Sequence, residues 1–372
     1  MRSTPTRRAT GLLGGAWAVR AVLSSGALAA ACWGVAAASE PLPPTAPAVL
    51  RNAAVMAPKA AQAGMLAITR AGRRLVAVGE RGIVLWSDDQ GQRWQQARVP
   101  VQAALTAVRF ADAKVGWAVG HLGVVLRTDD GGQTWTRQLD GTQVARLVVE
   151  EARAVGGEEA AARAASFIEE GPDKPFFDIA CADAQRLWVS GAYGVLLASE
   201  DGGATWRSLR TRIDNKMGGH LYAVRWREQA GQSRLYVAGE QGLLARSDDA
   251  GHSFTTLPSP YKGSFFGLLD TRAGTLLAYG LRGTVFRSTD EGASWTKVAT
   301  EQPVGLSAAL ELDDARVVLL AQNGDLLLSD DGGATLRRTP APRALPAAGL
   351  VQMGPDSVLL ASLRGLQRAP LR

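Results

Sequence analysis

One octet recurs six times along this chain. It reads SDDQGQRW from Ser87, TDDGGQTW from Thr128, SEDGGATW from Ser199, SDDAGHSF from Ser247, STDEGASW from Ser288 and SDDGGATL from Ser329. Its third residue is always aspartate: Asp89, Asp130, Asp201, Asp249, Asp290 and Asp331, spaced by 41, 71, 48, 41 and 41 residues. A glycine in a short turn lies seven residues before each aspartate, and Gly365 adds a seventh such turn 41 residues after Gly324. A fixed period of this length marks one supersecondary unit repeated along the chain, and such a unit buries its apolar face only by stacking on its neighbours.

Each unit reads as four short strands. In the second they are LTAVRF, GWAVG, VVLRT and TWTRQ, aliphatic or β-branched runs separated by turn residues. Four strands in this span predict a propeller blade, and seven turns predict seven blades. The expected fold is all-β: a seven-bladed β-propeller of four-stranded antiparallel blades. The seventh aspartate would fall at residue 372, so the last blade has three strands of its own. An open ring leaves unpaired strand edges. The segment PAVLRNAAVM, Pro47–Met56, is therefore expected to supply the missing strand and close the last blade.

The first residues are a different material. Arg2, Arg7, Arg8 and Arg20 precede the apolar run AVLSSGALAAACWGVAAASE. This predicts a signal peptide over 1–38 with a cut after Ala38, a linker over 39–46 and the propeller over 47–372. An uncleaved anchor and lipidation at Cys32 are the alternatives. The chain would be exported to the periplasm, with room for peripheral membrane association. Without those four arginines, Lys+Arg falls from 41 to 37 against 35 Asp+Glu, so the formal charge drops from +6 to +2. The basic balance therefore belongs to the leader and gives no reason to expect nucleic acid as a partner. Removal also leaves one cysteine, Cys181, which cannot form an internal disulfide and reads as a buried small hydrophobe.

The octet looks like a catalytic or metal loop, but six copies at one structural position argue for a fold device. Its aspartate can accept from backbone N–H groups of the turn. Its tryptophans, Trp94, Trp135, Trp206 and Trp295, can pack on the blade, with Phe254 and Leu336 substituting in two repeats. The pattern resembles the Asp-box, or bacterial neuraminidase repeat. The stretch VGWAVGHLGVVLRTDDGGQTW, Val115–Trp135, resembles the photosystem II stability/assembly factor family nearly position by position. That resemblance implies an exported, non-enzymatic propeller that chaperones assembly of a membrane complex by binding a membrane-protein client or its exported segment. It implies no cofactor, no metal and no catalytic residue, and a monomer is expected.

The 71-residue spacing holds an insertion between blades two and three, VARLVVEEARAVGGEEAAARAASFIEEGPDKP. It is rich in helix formers, so a helical insertion is expected over about 144–172, divided by Gly156 and Gly157. It is either a helix packed on the ring or a partner-binding arm.

In a four-stranded blade, the octets share one face. The glycine turns and the inter-blade connections share the other. The glycine-turn face varies, and variation is where recognition is usually carried. Its expected binding residues are Arg81, His121, Tyr193, Gln241, Arg282, Asn323 and Arg364, with Arg210 and Arg212 from the loop after blade three. Arginines here would grip a carboxylate-bearing segment through their planar forks. His121, His220 and His252 lie in different blades and carry no zinc motif. The rival reading is a secreted sialidase-like glycoside hydrolase or a glycan-binding propeller. A hydrolase needs two facing carboxylates about 5–9 Å apart. The acids of the glycine turns, Glu80 and Glu240, belong to blades one and four and are expected to lie too far apart. No F-R-I-P segment is present.

Overall fold

A computed structural model describes residues 46–229, 231–341 and 345–371. The expected signal and most of the expected linker lie outside these residues. Seven antiparallel sheets follow one another along the chain, six with four strands and the last with three. Blade two is typical, with strands Leu105–Phe110, Gly116–Gly120, Val125–Thr128 and Thr136–Leu139. The second strand of most blades is buried along its whole length, as expected for a strand covered on both faces.

The core is divided into seven apolar clusters, one at each junction between neighbouring blades. Seven junctions for seven blades mean that the ring closes. The closing junction joins Met65, Ile68, Leu75 and Leu85 of blade one to Val351, Leu359 and Ala361 of blade seven. Arg70 also donates from Nη2 to the Gln352 carbonyl at 2.6 Å.

The closure differs from the sequence expectation. Pro47–Met56 adds no strand to blade seven, whose sheet is Ala347–Gly354, Ser357–Ser362 and Gly365–Pro370. Instead Ala48–Arg51 forms one helical turn that buries Leu50, and Ala54 follows it into the junction of blades one and two. The backbone there is satisfied by the connection between those blades: Ala54 N–H donates to Val99 O at 2.9 Å, and Gln102 N–H donates to Val49 O at 2.7 Å. The physical reason is burial. Leu50 finds an apolar slot beside Val99 and Val101, whereas the outer strand of blade seven exposes Gln367 and Arg368. That open edge is blunted by its charge and by Pro370.

The six octets share one hydrogen-bond plan. In blade three, Asp201 Oδ1 accepts from Ser199 Oγ (2.8 Å) and Thr205 N–H (2.8 Å), while Oδ2 accepts from Thr205 Oγ1 (2.6 Å). Ser199 Oγ accepts from Gly203 N–H, and Trp206 Nε1 donates to Gly203 O at 2.9 Å. The hydroxyl and amide contacts of the aspartate recur around Asp89, Asp130, Asp249, Asp290 and Asp331, and the indole bond recurs at Trp94, Trp135 and Trp295. Arg93 Nε replaces the hydroxyl donor in blade one. These donors hold the carboxylates below the ordinary aspartate value. For Asp290, the Ser294 hydroxyl leads and brings it to about 2; for Asp331, the Thr335 amide leads, also to about 2.

Each octet also ties its blade to the one before. The carbonyl just after the aspartate faces the preceding blade. Arg74 Nη1 reaches Gly131 O (3.2 Å), Arg127 Nη1 reaches Gly202 O (2.8 Å), Trp188 Nε1 reaches Ala250 O (3.2 Å), and Arg287 Nε reaches Gly332 O (3.0 Å). Arg246 and Glu291 O make a longer link at 3.5 Å. Across the seam, Arg368 Nη2 reaches Gln90 O at 3.4 Å. The octet is thus a turn clasp and a ring tie together.

The insertion is a helix, Gly141–Ala164, followed by the short turn Ser166–Glu169. It begins three residues before the expected start because Asp140 and Gln143 form a reciprocal capping box. Gly156 and Gly157 break the helical angles, as expected. The first half buries Val144, Ala145 and Val148 against the junction of blades two and three. Most of the second half is exposed. Among the described residues, no helix is long and apolar enough to cross a membrane.

Candidate functional site: the glycine-turn face

The second strand of each blade enters a tight turn, and in blades one to five it ends in glycine. In five blades the middle residue of that turn is not glycine, yet adopts a left-handed conformation: Arg81 (φ 55°), Leu122 (58°), Tyr193 (57°), Gln241 (55°) and Arg282 (56°). For an L-residue this conformation costs about 1–2 kcal/mol. The glycine that follows has no alternative. A Cβ on Gly242 would lie 1.8 Å from Tyr261 O, and one on Gly283 would lie 1.8 Å from Gln302 O. The inter-blade connection passes directly under each turn. The turn is therefore pinned from below, and its middle residue is held outward.

Arg81, Tyr193, Gln241 and Arg282 are exposed, as are His121, one residue before its left-handed Leu122, and Arg364 in the tight turn of blade seven. Asn323 is engaged, since its Nδ2 donates to Asp325 Oδ2 at 3.0 Å. Arg210 is drawn beside Tyr193: its Nε donates to the Tyr193 carbonyl at 3.0 Å and its guanidinium covers the Phe167 ring at 4.9 Å. Arg212 turns away and donates to His252 O, in the octet of blade four, at 2.6 Å.

Arg210 is positioned by the insertion. Glu151 accepts from the Arg210 and Thr211 amides (3.1 Å each), and also from Ser208 and Thr211 hydroxyls. Lys174 is buried beneath Phe167 and Tyr193, 5.5 Å from each ring, with Glu170 Oε2 at 3.3 Å. The insertion therefore packs on the ring and also shapes the neighbourhood of Tyr193.

From Tyr193 a stripe of rings crosses to the mouth of the central channel. Tyr193 meets His220 at 5.2 Å, His220 meets Phe177 at 5.8 Å, Phe177 meets Tyr222 at 5.1 Å, and Tyr222 meets Phe266 at 5.3 Å. Burial raises the Tyr222 hydroxyl to about 12, aided by the Glu240 charge and the hydrogen bond to it. The sequence reading found Tyr193 but missed the rest of this stripe. Its signal was the second residue of the first strand, aromatic in blades three to five and aliphatic or hydroxylated elsewhere.

Glu80 and Glu240 are each engaged locally. Glu80 Oε1 accepts from Gly64 N–H at 3.1 Å, and Glu240 Oε2 accepts from His220 N–H at 2.9 Å. Each fastens the connection leading into its own blade. Among the described residues, no group of three or more His, Cys, Asp or Glu side chains is arranged to hold a metal. Cys181 is free and partly buried, and burial raises its thiol.

Comparison with known proteins agrees with this architecture. A solved structure of YCF48 bound to a D1 peptide is similar, with 17% identity and a TM-score of 0.61 over 84% of this chain and 94% of that one. YCF48 from Cyanidioschyzon merolae gives 16% and 0.60 over 82% and 95%. Virginiamycin B lyase from Staphylococcus aureus gives 12% and 0.62 over 82% and 94%. At such identities the likeness is one of fold, and the lyase shows that a ring of this kind serves unrelated tasks. The family profile described as photosynthesis system II assembly factor YCF48 matches residues 86–158 and 158–303, more than half of the sequence. By that match, the chain belongs to the YCF48 family of photosynthesis system II assembly factors.

Proposed function

We propose that this chain is an exported, non-enzymatic scaffold or chaperone that uses its glycine-turn face to hold an extramembrane segment of a membrane-protein client during assembly. Family membership carries the reading, together with the relative solved in complex with a D1 peptide. The strained outward residues of five turns support the choice of face, because strain of this kind is retained where it serves a site. The leader over 1–38 supports export. The client segment is acidic: Arg81, Arg282 and Arg364 are exposed on this face, and the arginine fork suits carboxylates.

The test is affinity capture from the protein's own membranes. Wild type is compared with the triple variant Arg81→Ala, Arg282→Ala, Arg364→Ala and with an octet-face control, Gln92→Ala plus Lys297→Ala. Loss of one membrane protein with the triple variant alone supports the reading. An identical captured set from all three overturns it.

A further inference from the structure

The central channel is lined by the first strands of the blades and has a volume of about 760 Å³. Two arginines stand in its wall at the same position of their strands, and they are treated differently. Arg225 is fully engaged: Nε donates to Leu268 O at 2.9 Å, and Nη1 contacts Val224 O and the Asp178 carboxylate. Arg109, in blade two, has no acceptor among the described residues, although it is only partly exposed. Burial lowers its affinity for its proton, and so does the neighbouring Arg225 charge.

The other charged groups inside the channel are occupied, and Asp313 lies exposed at its octet-side rim. Asp178 is held by Arg225 and by the Val224 amide, and Arg70 by Gln352 O. At the octet-side rim, Asp270 faces Arg227 and Glu311 faces Arg272. The Arg109 guanidinium instead faces the open channel, where its donors can receive an incoming anion. At the opposite, glycine-turn mouth, the lining is uncharged and includes Phe177, Tyr222 and Phe266. From that ring layer to the arginine layer is three residues of strand, roughly 10 Å. The channel therefore joins a ring-lined mouth to a polar interior, an arrangement suited to a ligand with one apolar and one anionic end.

We propose that the channel binds a small aryl-alkyl carboxylate, with its ring against Phe177, Tyr222 and Phe266 and its carboxylate on Arg109. The ligand enters by the aromatic mouth, because the rim acids guard the other. Arg225 and Asp178 set the floor and exclude a second anion.

The probe is 3-phenylpropionate, titrated calorimetrically into the mature chain, with 3-phenylpropanol and inorganic phosphate as comparators. Wild type is expected to bind the carboxylate at least about tenfold more tightly than the alcohol, the scale of a charge-assisted contact. Arg109→Gln abolishes that preference without lowering the melting temperature, Arg109→Lys retains part of it, and Phe266→Ala weakens the acid and the alcohol together. Absence of millimolar binding by wild type overturns the site, as does equal binding by wild type and Arg109→Gln. Should Arg109→Gln fail to fold, the Arg109→Lys and Phe266→Ala titrations decide the matter. Phosphate binding as tightly as 3-phenylpropionate overturns the aryl assignment.

Discussion

The two faces of this ring are built from the same kind of local geometry and use it oppositely. On the octet face, Gln90, Ala250 and Glu291 sit at positive φ where the other three octets have glycine. There the carbonyl of the strained residue is what the fold uses, because it receives the tie from the preceding blade. That tie needs no side chain, which is why glycine serves in blades two, three and six, although Glu291 adds an ion pair to Arg234 at 2.7 Å. On the glycine-turn face such backbone ties are confined to Tyr193, which accepts from Arg210 and donates to His220 Nδ1, and the side chain varies from Arg to Leu to Tyr to Gln. One face spends its strain on holding blades together and the other on displaying side chains.

The largest effect that would test this contrast is removal of an octet carboxylate. Asp130→Ala strands the Gln133 and Thr134 amides and the hydroxyls of Thr128 and Thr134. It should lower unfolding free energy by about 2–4 kcal/mol in a denaturant titration. A loss as small as that of a surface substitution would break the assignment of the octet as a structural clasp. Next comes the pinned turn glycine. Gly283→Ala forces a Cβ against Gln302 O and should cost about 2–3 kcal/mol, whereas alanine at the neighbouring exposed Arg282 should be nearly neutral in the same assay.

Acid separates the faces further. Asp249, Asp290 and Asp331 have folded-state values of about 2, below the reference of 3.8. Groups held below their unfolded value stabilise the fold fully above about pH 4 and lose that contribution as pH falls towards 2. Unfolding free energy measured from pH 5 to 2 should therefore decline mainly below pH 4. The decline should be shallower in Asp290→Asn, which has already lost the carboxylate.

The smallest effect is the most discriminating. Ala250→Gly and Arg282→Gly each relieve a left-handed residue and should each stabilise by about 0.5–1 kcal/mol after the glycine entropy penalty. Ala250→Gly should leave client capture intact and Arg282→Gly should weaken it. If both behave alike in capture, the faces do not divide the work in this way.

The ring was legible because its signal is repeated. Six octets and seven turn glycines overdetermine the period, so the blade count and the face assignment follow from spacing alone. The N-terminal segment was misread because it is unique. PAVLRNAAVM has the composition of a strand, and only the slot beside Val99 and Val101, formed by residues distant in sequence, shows why Leu50 settles elsewhere. The channel was legible in principle. Six blades have Ala or Gly as the third residue of the first strand, at Ala67, Ala107, Ala223, Gly267, Ala308 and Gly349, and blade three has Asp178. That departure marks where Arg225 would dock. What spacing could not give is the pairing itself, and so it left Arg109 indistinguishable from its satisfied counterpart. The Tyr193 neighbourhood was half legible for the same reason. The insertion's helix could be read from composition, but Glu151 meeting the Arg210 and Thr211 amides depends on how that helix lies on the ring.

The junction of blades seven and one has no strand in common with both ends of the chain. It is held by interdigitated side chains, the Arg70 contact and the long Arg368 reach. Six junctions are crossed by continuous backbone and this one is not, so separating it releases two blades without stretching any covalent link. Slow breathing of the molecule should begin there, with amide protons of the first and last blades exchanging with solvent together and ahead of those on the opposite side.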